Sequence, residues 1–275
     1  MRNVAVIFVG NLPPLKEALR KLTTVKAFFP KSQILVSTWD NYTYPLPDYC
    51  TILTQPDPGE TEKKRKNLFK NSITNTERHL LSRAKAAQFL KHNQKIKWVI
   101  VTRWDVEFKK ETFTLLSKYL LSFDEQTLGI FLKELTSSCM GIKFHRLMKN
   151  FHICDLFIVL KKDLFCNAFN IKNLSINNSA QKQTIVKTSN YHFELFNPTP
   201  EQIIGFFLAK QKTGLPPTNT AKNYENFLLN FEAQSFIGLD LIWSKRPNYH
   251  LGVKSIIGRR SVILHKLKQK LLKKH

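Results

Sequence analysis

The segment "KWVIVTRWDVEF" runs from an apolar stretch, Trp98–Val101, straight into Arg103, Asp105 and Glu107. A strand that ended in a plain surface turn would do better with Gly, Asn or Pro. Carboxylates at i and i+2 past a strand point broadly to one side. As oxygen ligands they suit a shared divalent cation, Mg²⁺ or Mn²⁺. Such a cation would bridge a nucleotide diphosphate and offset charge on the leaving group. The competing reading is an acidic strand edge standing in water, because a lone D-x-E is a weak signal. Placement after a buried strand, with Arg103 alongside, favours a site.

The elements that would position these residues can be read along the chain. "VAVIFVG" (Val4–Gly10) is a continuous apolar run rich in β-branched residues, which predicts a buried strand ending at a glycine loop. "PPLKEALRKLTTVKAFFP" predicts a helix with Leu15, Leu19, Leu22 and Val25 on one face. "SQILVSTWD" and "CTILTQ" predict two further strands, so the start of the chain reads β-α-β-β. "DPGETEKKRKNLFKNSITN" is polar, basic and turn-rich and reads as a long loop. "TNTERHLLSRAKAAQFLKHN" predicts a helix with Leu80, Leu81, Ala84, Ala87 and Leu90 as its apolar face and Thr74–Glu77 as a capping box. It leads into the strand that ends at Arg103. In open α/β sheets ligands bind beyond the carboxyl ends of strands, which is where Asp105 and Glu107 are expected. "FHICDLFIVLKKDLFCNAF" reads as strand then helix, "TPEQIIGFFLAKQ" as a short helix, and "TAKNYENFLLNFEAQSF" as another. Lys245–His275 has ten Lys and Arg residues, no acid, and apolar residues at helical spacing, which predicts a basic amphipathic helix.

The totals set bounds. A chain of 275 residues with 43% hydrophobic residues is globular and long enough to bury a core. A formal charge of +23 favours polyanionic partners: nucleic acid, anionic lipid headgroups or phosphorylated ligands. Four cysteines without a CxxC pair, Cys50, Cys139, Cys154 and Cys166, make neither a zinc nor a disulfide framework and suit a reducing cytoplasm. The amino terminus lacks the apolar core and cleavage site of a signal peptide. No apolar run approaches the ~20 residues that span a bilayer. The expectation is a cytoplasmic protein able to lie on a membrane surface.

Several motifs occur in an order that resembles a known family. "AFFPKSQILVSTWD" is similar to a helix, Pro-containing turn and strand closing on Ser-Thr-Trp, here Ser37, Thr38 and Trp39. "DPG" at Asp57–Gly59 resembles the next motif, and the following helix carries Asn75 and Arg78. "VTRWDVEF" resembles a strand-end Arg-x-Asp-x-x-Phe through Arg103, Asp105 and Phe108. "FHICDLFIVLKKDLF" supplies Asp155 and Phe157, and "PEQIIGFFLAK" the Pro-Glu that opens a later helix. Together they resemble WavE-like lipopolysaccharide-synthesis proteins, which are glycosyltransferases, over roughly Val4 to Lys210. Two departures stand out: Trp104 and Val106 replace small or polar residues around the aspartate, and Asn11, Leu12 and Pro13 replace a more polar loop.

The resemblance implies a GT-A-like Rossmann-type α/β fold: a mixed, mostly parallel sheet flanked by helices, with the basic carboxyl-terminal amphipathic helix appended. It implies a catalytic domain over residues 1–240, with a nucleotide-binding part to about 110 and an acceptor-side part beyond, and a basic segment over 241–275 that attaches to the anionic inner-membrane surface. The partners implied are a nucleotide-sugar donor and a glycolipid or oligosaccharide acceptor of bacterial lipopolysaccharide. Val9, Gly10 and Asn11 would hold the nucleotide, with Trp39 stacking on a base or sugar and Asn75, Arg78 and Arg103 assisting. Asp105 and Glu107 would hold the cation. Asp155 or Glu201 would take the acceptor's proton. An acid in an otherwise apolar strand is expected to have a raised pKa, although a structural aspartate bonded to backbone is an equal reading. Glu201 also fits a plain first-turn acid. His79 reads as structural, and His250 is a remote candidate metal ligand.

Two other classes compete. A nucleic-acid-binding protein or metal-dependent nuclease would use the charge and the same acids, but no helix-turn-helix, aromatic RNA-binding motif or zinc module is present. A catalytically inactive membrane-attached scaffold would share the fold alone.

Overall fold

The computed structural model describes residues 3–59, 61–63, 72–74, 76–132, 153–170, 200–213, 230–234, 239 and 241–244. The basic segment beyond 244, His250, Asn75 and Cys139 lie outside these residues.

The described chain forms β1 (Val4–Val9), α1 (Leu15–Phe28), β2 (Gln33–Trp39), β3 (Cys50–Gln55), β4 (Thr61–Lys63), β5 (Ser72–Thr74) and α2 (Thr76–Leu90). Next come β6 (Trp98–Arg103), β7 (Val106–Phe108), α3 (Lys110–Ser122), β8 (Gly129–Leu132), β9 (Phe157–Lys161) and α4 (Lys162–Ala168). The last elements are α5 (Pro200–Thr213), β10 (Phe231–Gln234) and β11 (Leu241–Trp243). Seven strands make one sheet in the order β10-β8-β9-β6-β1-β2-β3. The block β6-β1-β2-β3 is parallel throughout, and β10 is parallel to β8. Only β9 runs against its neighbours, β6 and β8. The sheet is therefore mixed and mostly parallel, as expected.

β1 is buried along its whole length because helices cover both faces. Its alternate residues divide between two cores. Ala5, Ile7 and Val9 pack with Leu80, Ala84 and Ala87 of α2 and with Phe165 and Leu208 of α4 and α5. Val4, Val6 and Phe8 pack with Ala18, Leu22 and Val25 of α1 and with Phe113 and Leu116 of α3. The result is a three-layer α/β/α arrangement whose central strands are held from both sides.

Four sequence expectations change. The buried stripe of α1 is Ala18, Lys21, Leu22 and Val25, while Leu15 is exposed; a lysine has taken a core position. Thr74, expected as a helix cap, is the last residue of β5 and pairs with Thr61, so part of the expected loop is a hairpin. The end of the helix expected over "TAKNYENFLLNFEAQSF" is strand β10, which adds to the free edge of β8 and sets Phe231 against Phe131 at 6.2 Å. There tertiary pairing overrides the local helical pattern. Helix α3 has no counterpart among the expected elements.

Candidate functional site

β1, β2 and β6 end at the same edge of the sheet. A cavity of about 430 Å³ opens there. At its floor the chain leaves β1 through Gly10, whose φ of +98° is a left-handed conformation that favours glycine. The Gly10 N–H donates to Ser37 O at 3.2 Å, tying the loop to the end of β2. Val9, Gly10 and Asn11 all line the cavity, as does Trp39.

Trp39 is only 1% exposed. Its indole Nε1 is buried and has no hydrogen-bond partner among the described residues. The same holds for Trp104 Nε1 and Arg83 Nε, whose residues also line the cavity. Three buried donors on one cavity wall are costly unless a ligand or solvent satisfies them.

One face of α2 supplies Arg78, His79, Ser82 and Arg83 to the same cavity. This i, i+1, i+4, i+5 set lies opposite the apolar stripe. Sequence reasoning reached Arg78 but not Arg83 or Ser82, and it took His79 as structural. The polar spacing on a helix that precedes the key strand is the signal that could have found them. Arg78 is held by a two-point pair to Asp57, Nε to Oδ1 at 2.7 Å and Nη2 to Oδ2 at 2.5 Å. Asp57 also accepts the Gly59 N–H at 3.0 Å. The Arg78 bonds, chiefly, hold the Asp57 carboxyl below its ordinary range. Arg83 is buried, and burial pushes its pKa down to about 10, with Asp155 opposing the shift.

At the end of β6, Arg103 makes a second fork. Its Nε and Nη2 donate to Asp105 Oδ1 and Oδ2 at 3.0 and 2.8 Å, and its Nη1 donates to Asp155 Oδ2 at 3.0 Å. The reversed direction of β9 makes this possible, because Leu156 and Asp155, just before its first strand position, lie beside the carboxyl end of β6, where the Arg103 N–H donates to Leu156 O at 3.0 Å. Asp155 Oδ2 also meets His79 Nδ1 at 3.0 Å, and Arg83 Nη2 donates to the Asp155 carbonyl at 2.9 Å. Burial by itself would raise the Asp155 carboxyl, as the sequence led us to expect. Its neighbours His79, Arg103 and Arg83 outweigh burial and hold it well below the usual carboxylate range. The expected raised pKa is thus corrected. Burial likewise opposes charge on Arg103, and Asp155 and Asp105 overcome it to raise that pKa.

The two departures around Asp105 are anchors. Trp104 stacks on Phe8 with ring centroids 4.4 Å apart, and Val106 is fully buried. With 104 and 106 held in the core, Asp105 is turned to the cavity. The strand-end loop is pinned twice more. The buried Lys21 Nζ donates to Trp104 O, and to Val106 O at 3.4 Å. Ser244 N and Oγ donate to Asp105 O at 2.8 and 2.9 Å.

Glu107 departs from expectation. It lies on β7, is bound to Arg20 of α1 at 2.8 Å, and is not among the cavity-lining residues. Asp105 and Glu107, expected to share a cation, each pair with a different arginine in this structure, Arg103 and Arg20. Among the described residues no group of three His, Cys, Asp or Glu is placed to hold a metal. The donor set does not fit a protein-made chelate. Glu201 sits in the first turn of α5, its carbonyl accepting the Ile153 N–H at 3.3 Å, and does not line the cavity.

A charged cavity at the carboxyl ends of parallel strands, with helices on both sheet faces, defines an α/β protein of Rossmann type, a class in which ligands bind beyond the strand ends. Residues 16–270 match the family described as WavE lipopolysaccharide synthesis, and the chain belongs to that family. The glycosyltransferase expectation made from the motifs stands on this membership. The match also runs through most of the basic carboxyl-terminal segment. No curated protein matches the chain. Among solved structures, it is similar to a glycosyltransferase involved in glycosylation of the major capsid of PBCV-1, at 11% identity and TM-score 0.35, covering 67% of this chain and 74% of that one. It is also similar to a mutant Drosophila β-1,4-galactosyltransferase 7 in complex with manganese, UDP-Gal and xylobiose, at 11% identity and TM-score 0.32, covering 60% and 52% of the two chains.

Proposed function

We propose that this protein transfers a sugar from a nucleotide-sugar donor to a lipopolysaccharide, lipooligosaccharide or related surface-glycan acceptor, and that the donor lies in the cavity at the ends of β1, β2 and β6. The observation that carries the reading is the set of three buried donors, on Trp39, Trp104 and Arg83, that have no hydrogen-bond partner among the described residues and belong to residues lining that cavity. A nucleoside diphosphate sugar is dense in acceptor oxygens and satisfies donors of this kind. Arg78 and Arg103, held in place by Asp57 and Asp105, bring guanidinium charge to the cavity lining, where phosphate oxygens are favoured. As the bond to the sugar breaks, negative charge grows on the diphosphate, and fixed guanidinium groups stabilise it without reorganising. Gly10, lacking a side chain, lets the β1 loop approach the ligand closely.

In this reading residues 1–110 make the donor-binding part, 111–240 face the acceptor, and the basic segment 241–275 draws the protein to an anionic membrane surface on its cytoplasmic side. Among the described residues no helix is long and apolar enough to cross a membrane.

The test is a thermal-shift panel of nucleoside diphosphates and nucleotide sugars, run with and without Mn²⁺ because the diphosphate brings oxygen ligands of its own. One nucleotide series is expected to stabilise the wild type and to lose its effect in Arg103→Gln. Trp39→Phe is expected to weaken binding by about 0.5–1.5 kcal/mol, the net worth of one hydrogen bond, while leaving the unliganded melting temperature unchanged or slightly higher. Stabilisation by oligonucleotide instead of any nucleotide sugar would move the protein to the nucleic-acid class.

A further inference from the structure

The transfer needs a group to take the acceptor hydroxyl's proton, and neither carboxylate expected from the sequence is placed to do so. Asp155 is 5% exposed and already accepts from Arg103 and His79. Glu201 lies away from the cavity lining. His79 does line it. Its Nδ1 lies 3.0 Å from Asp155 Oδ2, so in the neutral ring the proton sits on Nδ1 and the lone pair on Nε2. No described residue partners Nε2. A buried carboxylate behind an imidazole fixes its tautomer and steadies the imidazolium that forms. The other charges around the ring are Arg78 and Arg83 on α2, Arg103 and Asp105 at the end of β6, and Glu17 on α1 across the cavity.

Resting on the glycosyl-transfer reading above, the geometry points to His79 as the general base of the reaction and to Asp155 as the residue that positions it. His79 Nε2 takes the hydroxyl proton while the acceptor oxygen bonds to the anomeric carbon from the face opposite the leaving group. The bond from that carbon to the diphosphate oxygen breaks, and its electron pair leaves with the nucleoside diphosphate. The imidazolium, paired with Asp155, then returns its proton to water. A single displacement of this kind inverts the anomeric configuration.

The test uses the full chain and the nucleotide sugar that stabilises it, with water as acceptor and release of nucleoside diphosphate as readout. His79→Gln is expected to lower kcat by at least about 100-fold, to keep the nucleotide thermal shift, and to lose the acid limb of the kcat/KM pH profile. Asp155→Asn, which keeps the shape but removes the carboxylate that orients the ring through Nδ1, is expected to lower kcat while leaving KM for the nucleotide sugar little changed. Should Asp155→Asn fail to fold, ¹⁵N NMR of the wild-type histidine rings, with His79 assigned by its loss in His79→Gln, still decides. A proton on Nδ1 and a bare Nε2 at about pH 8 support the assignment, and a proton on Nε2 overturns it. Wild-type turnover in His79→Gln overturns the base alone. Absence of any nucleotide shift in the wild type overturns the donor reading, and the base with it.

Discussion

Asp155 is the residue on which most of the site's charge turns. Its carboxylate is buried against Arg103 and His79, so removing it takes a buried negative charge and an acceptor from beside both. Asp155→Ala is expected to cost about 3–5 kcal/mol at neutral pH, read from denaturant melts. The sign with pH follows from the lowered folded-state pKa. The stabilisation is fully present above the unfolded aspartate value near pH ~4 and is lost as pH falls towards the folded value. The wild type and Asp155→Ala are therefore expected to converge in stability in strong acid. Asp57, lowered by Arg78, acts in the same direction. At this scale the sequence was informative where a residue broke its local pattern. Arg103 and Asp105 followed a buried strand, and Asp155 interrupted an apolar one. It was silent on Arg83 and took His79 as structural, because polar residues are ordinary on the solvent side of a helix. Only the sheet's packing reveals that this side is a cavity wall.

Among the elements, the link between α1 and the strand-end loop is the least expected. Lys21 occupies a core position of the helix, 3% exposed, and spends its protons on the carbonyls of Trp104 and Val106 and on Glu17 at 3.2 Å. A stem that packs while its head bonds backbone explains why a lysine stands where the helical pattern calls for an apolar residue. Lys21→Met keeps the stem and strips both carbonyls of their donor. The expected cost is about 1–3 kcal/mol in melts, together with weaker nucleotide binding because the Asp105 loop is no longer pinned. Helices and strands with one clear period were legible in the sequence: β1, β2, β6, α2 and the β9–α4 pair all fall where the patterns put them. The short pieces were not. Among the described residues β7 and β11 pair with each other alone, and β10 carries a helical pattern overruled by the free edge of β8. Such pairings are set by partners far along the chain, which local periodicity does not record.

For the whole molecule, the close approach of β8 to β9 is a sharp constraint. A Cβ at Gly129 would stand 1.9 Å from Val159 O, a backbone atom that cannot swing aside. Gly129→Ala is expected to destabilise by more than the about 1–3 kcal/mol of ordinary overpacking, seen as a lower melting temperature or loss of soluble protein. The charge of +23 makes a second whole-molecule prediction. Binding to vesicles rich in phosphatidylglycerol is expected to fall steeply with salt, and removal of residues 245–275, with ten basic residues and no acid, to abolish most of it. Unchanged binding after that truncation would place the membrane-facing charge elsewhere.

The reversed course of β9 also orders events in time. Arg103 meets Asp155 across 52 residues of chain, and Arg83 reaches its carbonyl across 72. Closing such loops is slow compared with forming α2 or pairing β1 with β2. Until β9 arrives, Arg83, Arg103 and His79 face one another without the carboxylate that reconciles them. The cavity at the ends of β1, β2 and β6 is therefore expected to be completed late in folding. In refolding, recovery of nucleotide binding is expected to trail the recovery of helical signal, and low salt, which leaves the unpaired cations unscreened, is expected to lengthen the delay.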